Sequence, residues 1–140
     1  MKKYVLSFIS ALFLITSFAN AQSDDISGIE KTVNMYFDGW MHGDTTKLGQ
    51  AMHATCKLKN IKEGEVVVYD RAKYLSFFKP HPKTEGAMGR IVSIDITGPI
   101  ASAKCELELP NRLFTDYFNM MKVGGSWVIV DKISTNVAKE

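Results

Sequence analysis

The feature that most limits what this chain can fold into is Gly124-Gly125, set between two β-type runs, F-T-D-Y-F-N-M-M-K-V and S-W-V-I-V-D-K-I-S. Two adjacent glycines supply the positive φ angles that a two-residue type I′ hairpin loop requires. Such a loop sets the register. Val123 then faces Ser126, and the pairs Lys122–Trp127, Met120–Ile129, Phe118–Asp131 and Asp116–Ile133 share one side of the sheet. The other side receives Met121 with Val128, Asn119 with Val130, and Tyr117 with Lys132. On this register one face is aromatic and aliphatic and carries two diagonal carboxylates, Asp116 and Asp131, about 7–8 Å apart.

The N-terminus reads as a segment removed before folding. Lys2 and Lys3 precede an apolar stretch, Tyr4 to Phe18, and Ala19-Asn20-Ala21 forms an A-x-A site, the pattern of a secretory signal peptide over residues 1–21. The stretch is short for a membrane span, which needs about 20 residues. The expectation is an exported protein, periplasmic or secreted, with no membrane contact after cleavage and one domain over residues 22–140. Residues 1–21 contain two of the 17 Lys and Arg and none of the 15 Asp and Glu, so the remainder is electrically neutral. A neutral chain without a basic cluster argues against nucleic acid as a partner.

Along the chain, Asp24 or Asp25 is placed to cap a helix that ends near His42, with an apolar stripe of Ile26, Ile29, Val33, Phe37, Trp40 and Met41. Gly43 stops it and Asp44 caps a short second helix that ends at His53. Two strands follow around Lys62-Glu63. Asp70 caps a third helix, R-A-K-Y-L-S-F-F-K, and Pro80-His81-Pro82 ends it. A hairpin from Arg90 to Leu109 turns at Gly98-Pro99 and puts Val92, Ile94, Ile96, Ala101, Ala103 and Cys105 on its covered face. The tail from Asn136 is expected to be loose. Helices followed by strands indicate an α+β fold, with helices on one face of a bent antiparallel sheet.

Several residues have types suited to chemistry. Asp116 and Asp131, set among Trp127, Ile129 and Phe118, are candidates for general acid or base; desolvation and mutual repulsion there raise a carboxyl pKa. On this reading Asp116→Asn or Asp131→Asn leaves stability at pH 7 unchanged or higher. The alternative is that both acids lie at strand ends in water. His53 is a candidate pocket proton donor or a partner for the last carbonyls of its helix. Tyr36, Trp40, Cys105, Phe118 and Trp127 can line a ligand pocket or form ordinary core. Cys56 and Cys105 both alternate inward; they can pair, but nothing sets their strands side by side, and two buried free thiols are the preferred reading. No metal-ligand spacing, nucleotide fingerprint or serine-nucleophile motif is present, so neither metal nor cofactor is expected. Met121, Val128, Val130 and Tyr117 leave the other sheet face apolar, which suggests a partner surface.

The motif Tyr36-Phe37-x-Gly39-Trp40-x-x-Gly43-Asp44, then His53, then D-Y-x-N…G-x-W-x-I-V-x-K from Asp116 to Lys132, resembles the putative lumazine-binding family of the nuclear transport factor 2-like (polyketide-cyclase-like) superfamily. The resemblance covers nearly all of residues 22–140. It implies a cystatin-like α+β cone, three helices closing a strongly bent sheet around a pocket, and a homodimer through the outer sheet face. The superfamily includes isomerases, dehydratases, cyclases and binding domains. The leading expectation is an apolar pocket for a small apolar or aromatic molecule. The alternatives are an acid–base isomerase or dehydratase using Asp116 or Asp131 with His53, and a dimerisation module whose cavity is filled by side chains.

Overall fold

The computed structural model describes residues 2–139, with side chains from residue 22 onward. Helix α1 spans Lys2–His42. It is continuous through Asp24 and Asp25, so neither caps it; Asp25 instead accepts hydrogen bonds from Lys122 Nζ at 2.6 Å and Trp127 Nε1 at 3.0 Å. Ile29, Val33, Tyr36 and Phe37 recur at helical spacing and are fully or almost fully buried. Gly43 ends the helix at φ +61, and a Cβ there would sit 2.0 Å from the Lys79 carbonyl oxygen. Asp44 then caps α2 (Thr45–Ala51), accepting from the Thr46 and Lys47 amides at 2.9 and 3.1 Å.

Strand β1 (Met52–Lys62) follows directly and pairs with β2 (Glu65–Asp70). The turn is Glu63-Gly64, one residue later than expected, with φ of 53 and 85. Asp70 caps α3 (Arg71–Leu75), which is shorter than its sequence pattern suggests and buries Tyr74. Strands β3 (Met88–Thr97), β4 (Ile100–Leu109), β5 (Arg112–Val123) and β6 (Ser126–Ala138) complete a six-stranded sheet in the order β2-β1-β6-β5-β4-β3. All neighbours are antiparallel except β1 and β6, which run parallel. The tail is not loose through Ala138: that residue pairs with Arg112.

The inner face of this curled sheet packs on the helices. Small residues make the approach close. Ala103 and Cys105 are fully buried, and a Cβ on Gly89 would lie 2.4 Å from the Phe37 ring. Tyr36 and Phe118 meet edge to face at 4.9 Å. Burying each such side chain contributes roughly 1.5–3 kcal/mol.

Two β-bulges correct the expected registers. The Gly124-Gly125 loop, with φ of 57 and 82, pairs Val123 with Ser126 and Met120 with Ile129 as anticipated. The next pair, however, is Asn119 with Asp131, because Val130 is an extra residue on β6. An extra residue reverses the alternation of everything beyond it. Phe118 therefore faces Lys132, and Asp116 faces Ser134. On β3 the same event occurs at Val92, which is exposed, and Ile91 takes the inward position opposite Cys105.

Candidate functional site

The β6 bulge turns Lys132 into the interior. Its Nζ lies 2.8 Å from Asp116 Oδ1, and the two side chains are 4% and 3% exposed. Ser134, next inward on β6, donates from Oγ to the same Asp116 oxygen at 2.6 Å. A buried ammonium needs compensation, and here the carboxylate is joined by three ring faces. Tyr36, Tyr74 and Phe118 lie 5.6, 5.7 and 6.0 Å from Nζ, within cation–π range. The hydroxyls of Tyr36 and Tyr74 are 2.5 Å apart.

The surroundings shift the ionisable groups. Burial lowers the Lys132 amine from its ordinary value, and the Asp116 carboxylate opposes that shift. Burial raises both tyrosine hydroxyls, and pushes the Cys56 thiol up to about 11 and the Cys105 thiol to about 12. Both thiols are free and buried.

A cavity of about 330 Å³ opens over the ion pair, between α3 and the inner face of the sheet. Its walls carry aromatic rings: Trp40, Tyr69, Tyr74, Phe77 and Phe114, with Trp40 and Phe114 tilted against each other at 5.6 Å and Tyr69 and Phe77 meeting edge to face at 5.2 Å. Its floor and one side are polar, formed by Asp116, Lys132, Ser134, Asn60, Thr135 and Asn136. The Asn60 side-chain oxygen is buried and has no hydrogen-bond partner among the described residues. The pocket is therefore not the mainly apolar one the sequence suggests. The inward flip of Lys132 supplies a charged floor.

The expected site residues separate into three groups. Asp116 and Trp40 line the cavity, while Tyr36, Phe118 and Cys105 lie buried beneath it. Asp131 is on the outer face, where it is paired with Lys59, so the two acids are not on one face. His53 stands at the start of β1, its Nδ1 2.7 Å from Thr55 Oγ1, and is not part of the cavity lining. Trp127 is at the other end of the helix–sheet interface. Its indole nitrogen donates to Asp25, and its ring lies against Gly28. Lys132, Tyr74, Ser134 and Asn60 were not anticipated. The counted register pairs Lys132 with Tyr117 on the outer side, and only the bulge at Val130 brings it inward. Among the described residues, no group of three or more His, Cys, Asp or Glu is placed to hold a metal, and no helix is long and apolar enough to cross a membrane.

A cone of three helices over a curled six-stranded sheet, with a pocket at its mouth, defines the nuclear transport factor 2-like class. The chain belongs to the putative lumazine-binding family, whose profile matches residues 24–134. An NTF2-like protein of unknown function from Methylobacillus flagellatus KT is 26% identical and superposes with a TM-score of 0.73, over 82% of this chain and 94% of that one. One from Silicibacter pomeroyi DSS-3, also of unknown function, is 21% identical with a TM-score of 0.73, over 83% of this chain and 98% of that one. Aldolase FrzH from Cladobotryum sp. is 23% identical over 113 residues, 79% of this chain and 90% of that protein.

Proposed function

We propose that the protein binds a small planar or aromatic molecule carrying polar groups in the cavity over Lys132 and Asp116. The observation that carries this reading is the buried ion pair at the floor of an aromatic-walled cavity. Aromatic side chains supply planar contacts, and a largely polar lining of Asn60, Asp116, Lys132, Ser134, Thr135 and Asn136 fixes orientation. An acceptor on the ligand meets the Lys132 ammonium, and a donor meets the unpartnered Asn60 oxygen. The cavity's volume is within the roughly 300–1,000 Å³ range of ligand pockets, which favours binding over a module filled by its own side chains. Native mass spectrometry of protein purified from its own cells is expected to show a bound small molecule, with Trp40→Ala losing it. A bare polypeptide mass, with no binding of planar aromatic compounds by calorimetry, would sink the reading.

The signal peptide falls on residues 1–21, whose side chains lie outside those described. Export with cleavage after Ala21 is proposed from the A-x-A pattern, and the intact mass of exported protein should correspond to a chain beginning at Gln22. A mass that retains Met1 rules this out. The outer sheet face exposes Tyr117, Met121 and Ile133 at 46%, 45% and 50%. A face this apolar suits a second copy of the chain. Sedimentation should give a dimer for the wild type and a folded monomer for Val130→Lys; a wild type already monomeric at micromolar concentration excludes this interface.

A further inference from the structure

We propose that Lys132 is a nucleophilic amine that captures an aldehyde or ketone group of the pocket ligand as an imine. The inference rests on the binding reading above and adds a covalent step to it. Four features of the geometry point to it. The amine sits at the floor of a cavity that admits a small molecule. Its ion-pair partner, Asp116, is 2.8 Å away and lines the same cavity, so it can take and return a proton in place. Ser134 Oγ donates to the same carboxylate oxygen and holds it in place. The rings of Tyr36, Tyr74 and Phe118 surround the nitrogen and favour a positive charge on it, whether ammonium or iminium.

The groups facing Lys132 come from every element around it. They are Tyr36 on α1, Cys56 on β1, Tyr74 on α3, Cys105 on β4 and Asp116 on β5. Asp116 is the acid among them. The tyrosines and cysteines hold their protons, because burial raises each of them. The proton inventory at the amine is therefore simple. Desolvation also lowers the amine's own pKa, which assists formation of the neutral nucleophile.

The step balances without an external reagent. The Lys132 ammonium passes one proton to Asp116. The amine lone pair adds to the carbonyl carbon, forming the C–N bond, and the carbonyl π pair moves to oxygen. That oxygen takes the proton that nitrogen sheds, giving the carbinolamine. Asp116 then returns its proton to the hydroxyl, the C–O bond breaks, water leaves, and the nitrogen lone pair closes the C=N bond. The iminium remains paired with the Asp116 carboxylate, as the ammonium was. Nothing is oxidised or reduced.

The test uses 4-hydroxybenzaldehyde with cyanoborohydride on the wild-type protein near pH 7.5, followed by peptide mapping. Reductive trapping is expected at Lys132 at least about tenfold faster than at exposed Lys47 or Lys57, as for a desolvated amine beside a base. Asp116→Asn should slow trapping at Lys132, and Lys132→Arg should abolish it. Because the mapping is done on the wild type, the result does not depend on either variant folding. If label spreads over exposed lysines while Lys132 stays unmodified, the proposal is overturned. Calorimetry on the same aldehyde then separates the two readings: saturable binding without trapping keeps the pocket and removes the imine, whereas no binding and no trapping counts against both.

Discussion

Asp116→Leu is expected to destabilise the fold by about 3–5 kcal/mol, and Lys132→Met by a similar amount, because each leaves a buried charge without its partner. The double variant Asp116→Leu/Lys132→Met should recover most of that loss. Replacing a buried ion pair as a unit by apolar groups of similar volume is often neutral or stabilising, since two desolvation penalties vanish with one attraction. Urea melts of all four proteins give the coupling energy directly. Single variants that cost as little as a surface pair, about 0–1 kcal/mol, would mean that water reaches Lys132 and Asp116. Asp131→Asn is the control: its partner Lys59 is partly exposed, and so is Asp131, so its cost should fall in that smaller range. The sequence-based expectation that Asp116→Asn is harmless is thereby replaced. It assumed two acids repelling each other on one face, whereas each has its own lysine on opposite faces.

The fold was largely legible because its signals are local. Gly124-Gly125 specifies a turn, Asp44 and Asp70 specify helix starts, and the spacing of Ile29, Val33 and Phe37 specifies a buried stripe. The motif around Trp40 and Trp127 carries the family. The pocket was legible only as far as the first bulge. Up to Ile129 the hairpin register could be counted from the loop. Beyond it, one unmarked extra residue, Val130, exchanges Asp131 for Lys132 in the interior. No turn signal announces a bulge, because its residues need no special φ here and their side chains are ordinary strand formers. The same limit explains the misplacement of Val92. Trp127 lies on the inner face, as its alternation indicates, but away from the cavity over Lys132. Alternation tells which side of the sheet a residue occupies, not which end of the cone, and Trp127 is beside the turn while the cavity lies toward Ser134.

Raising the pH from 8 towards 11 is expected to lower the urea midpoint, with Cys56 and Cys105 as identifiable causes. In the unfolded chain these thiols ionise near 9; in the fold burial pushes them to about 11 and about 12. Groups whose folded pKa is raised stabilise the fold below the unfolded pKa. That contribution is lost as pH rises through the folded pKa. Between about 9 and 11 each thiol adds a downward slope approaching 1.4 kcal/mol per pH unit. Tyr36 and Tyr74 are raised as well and act in the same direction at higher pH. Lys132 acts oppositely: its folded pKa is lowered, so the unfolded state holds the extra proton and its term rises with pH. Comparing wild type with Cys56→Ala/Cys105→Ala reports the thiols together with their coupling to Lys132, Tyr36 and Tyr74. The double variant should show the flatter alkaline limb, and equal slopes would refute the assignment. A thiol reagent gives an independent check at pH 8. The folded thiolate populations should be about 100-fold and 1,000-fold below those of the unfolded chain, so labelling should be slow until urea opens the fold. Rapid labelling of Cys105 in the folded protein would show that the floor of the cavity is open to solvent, and would remove the desolvation that lowers the pKa of the Lys132 amine.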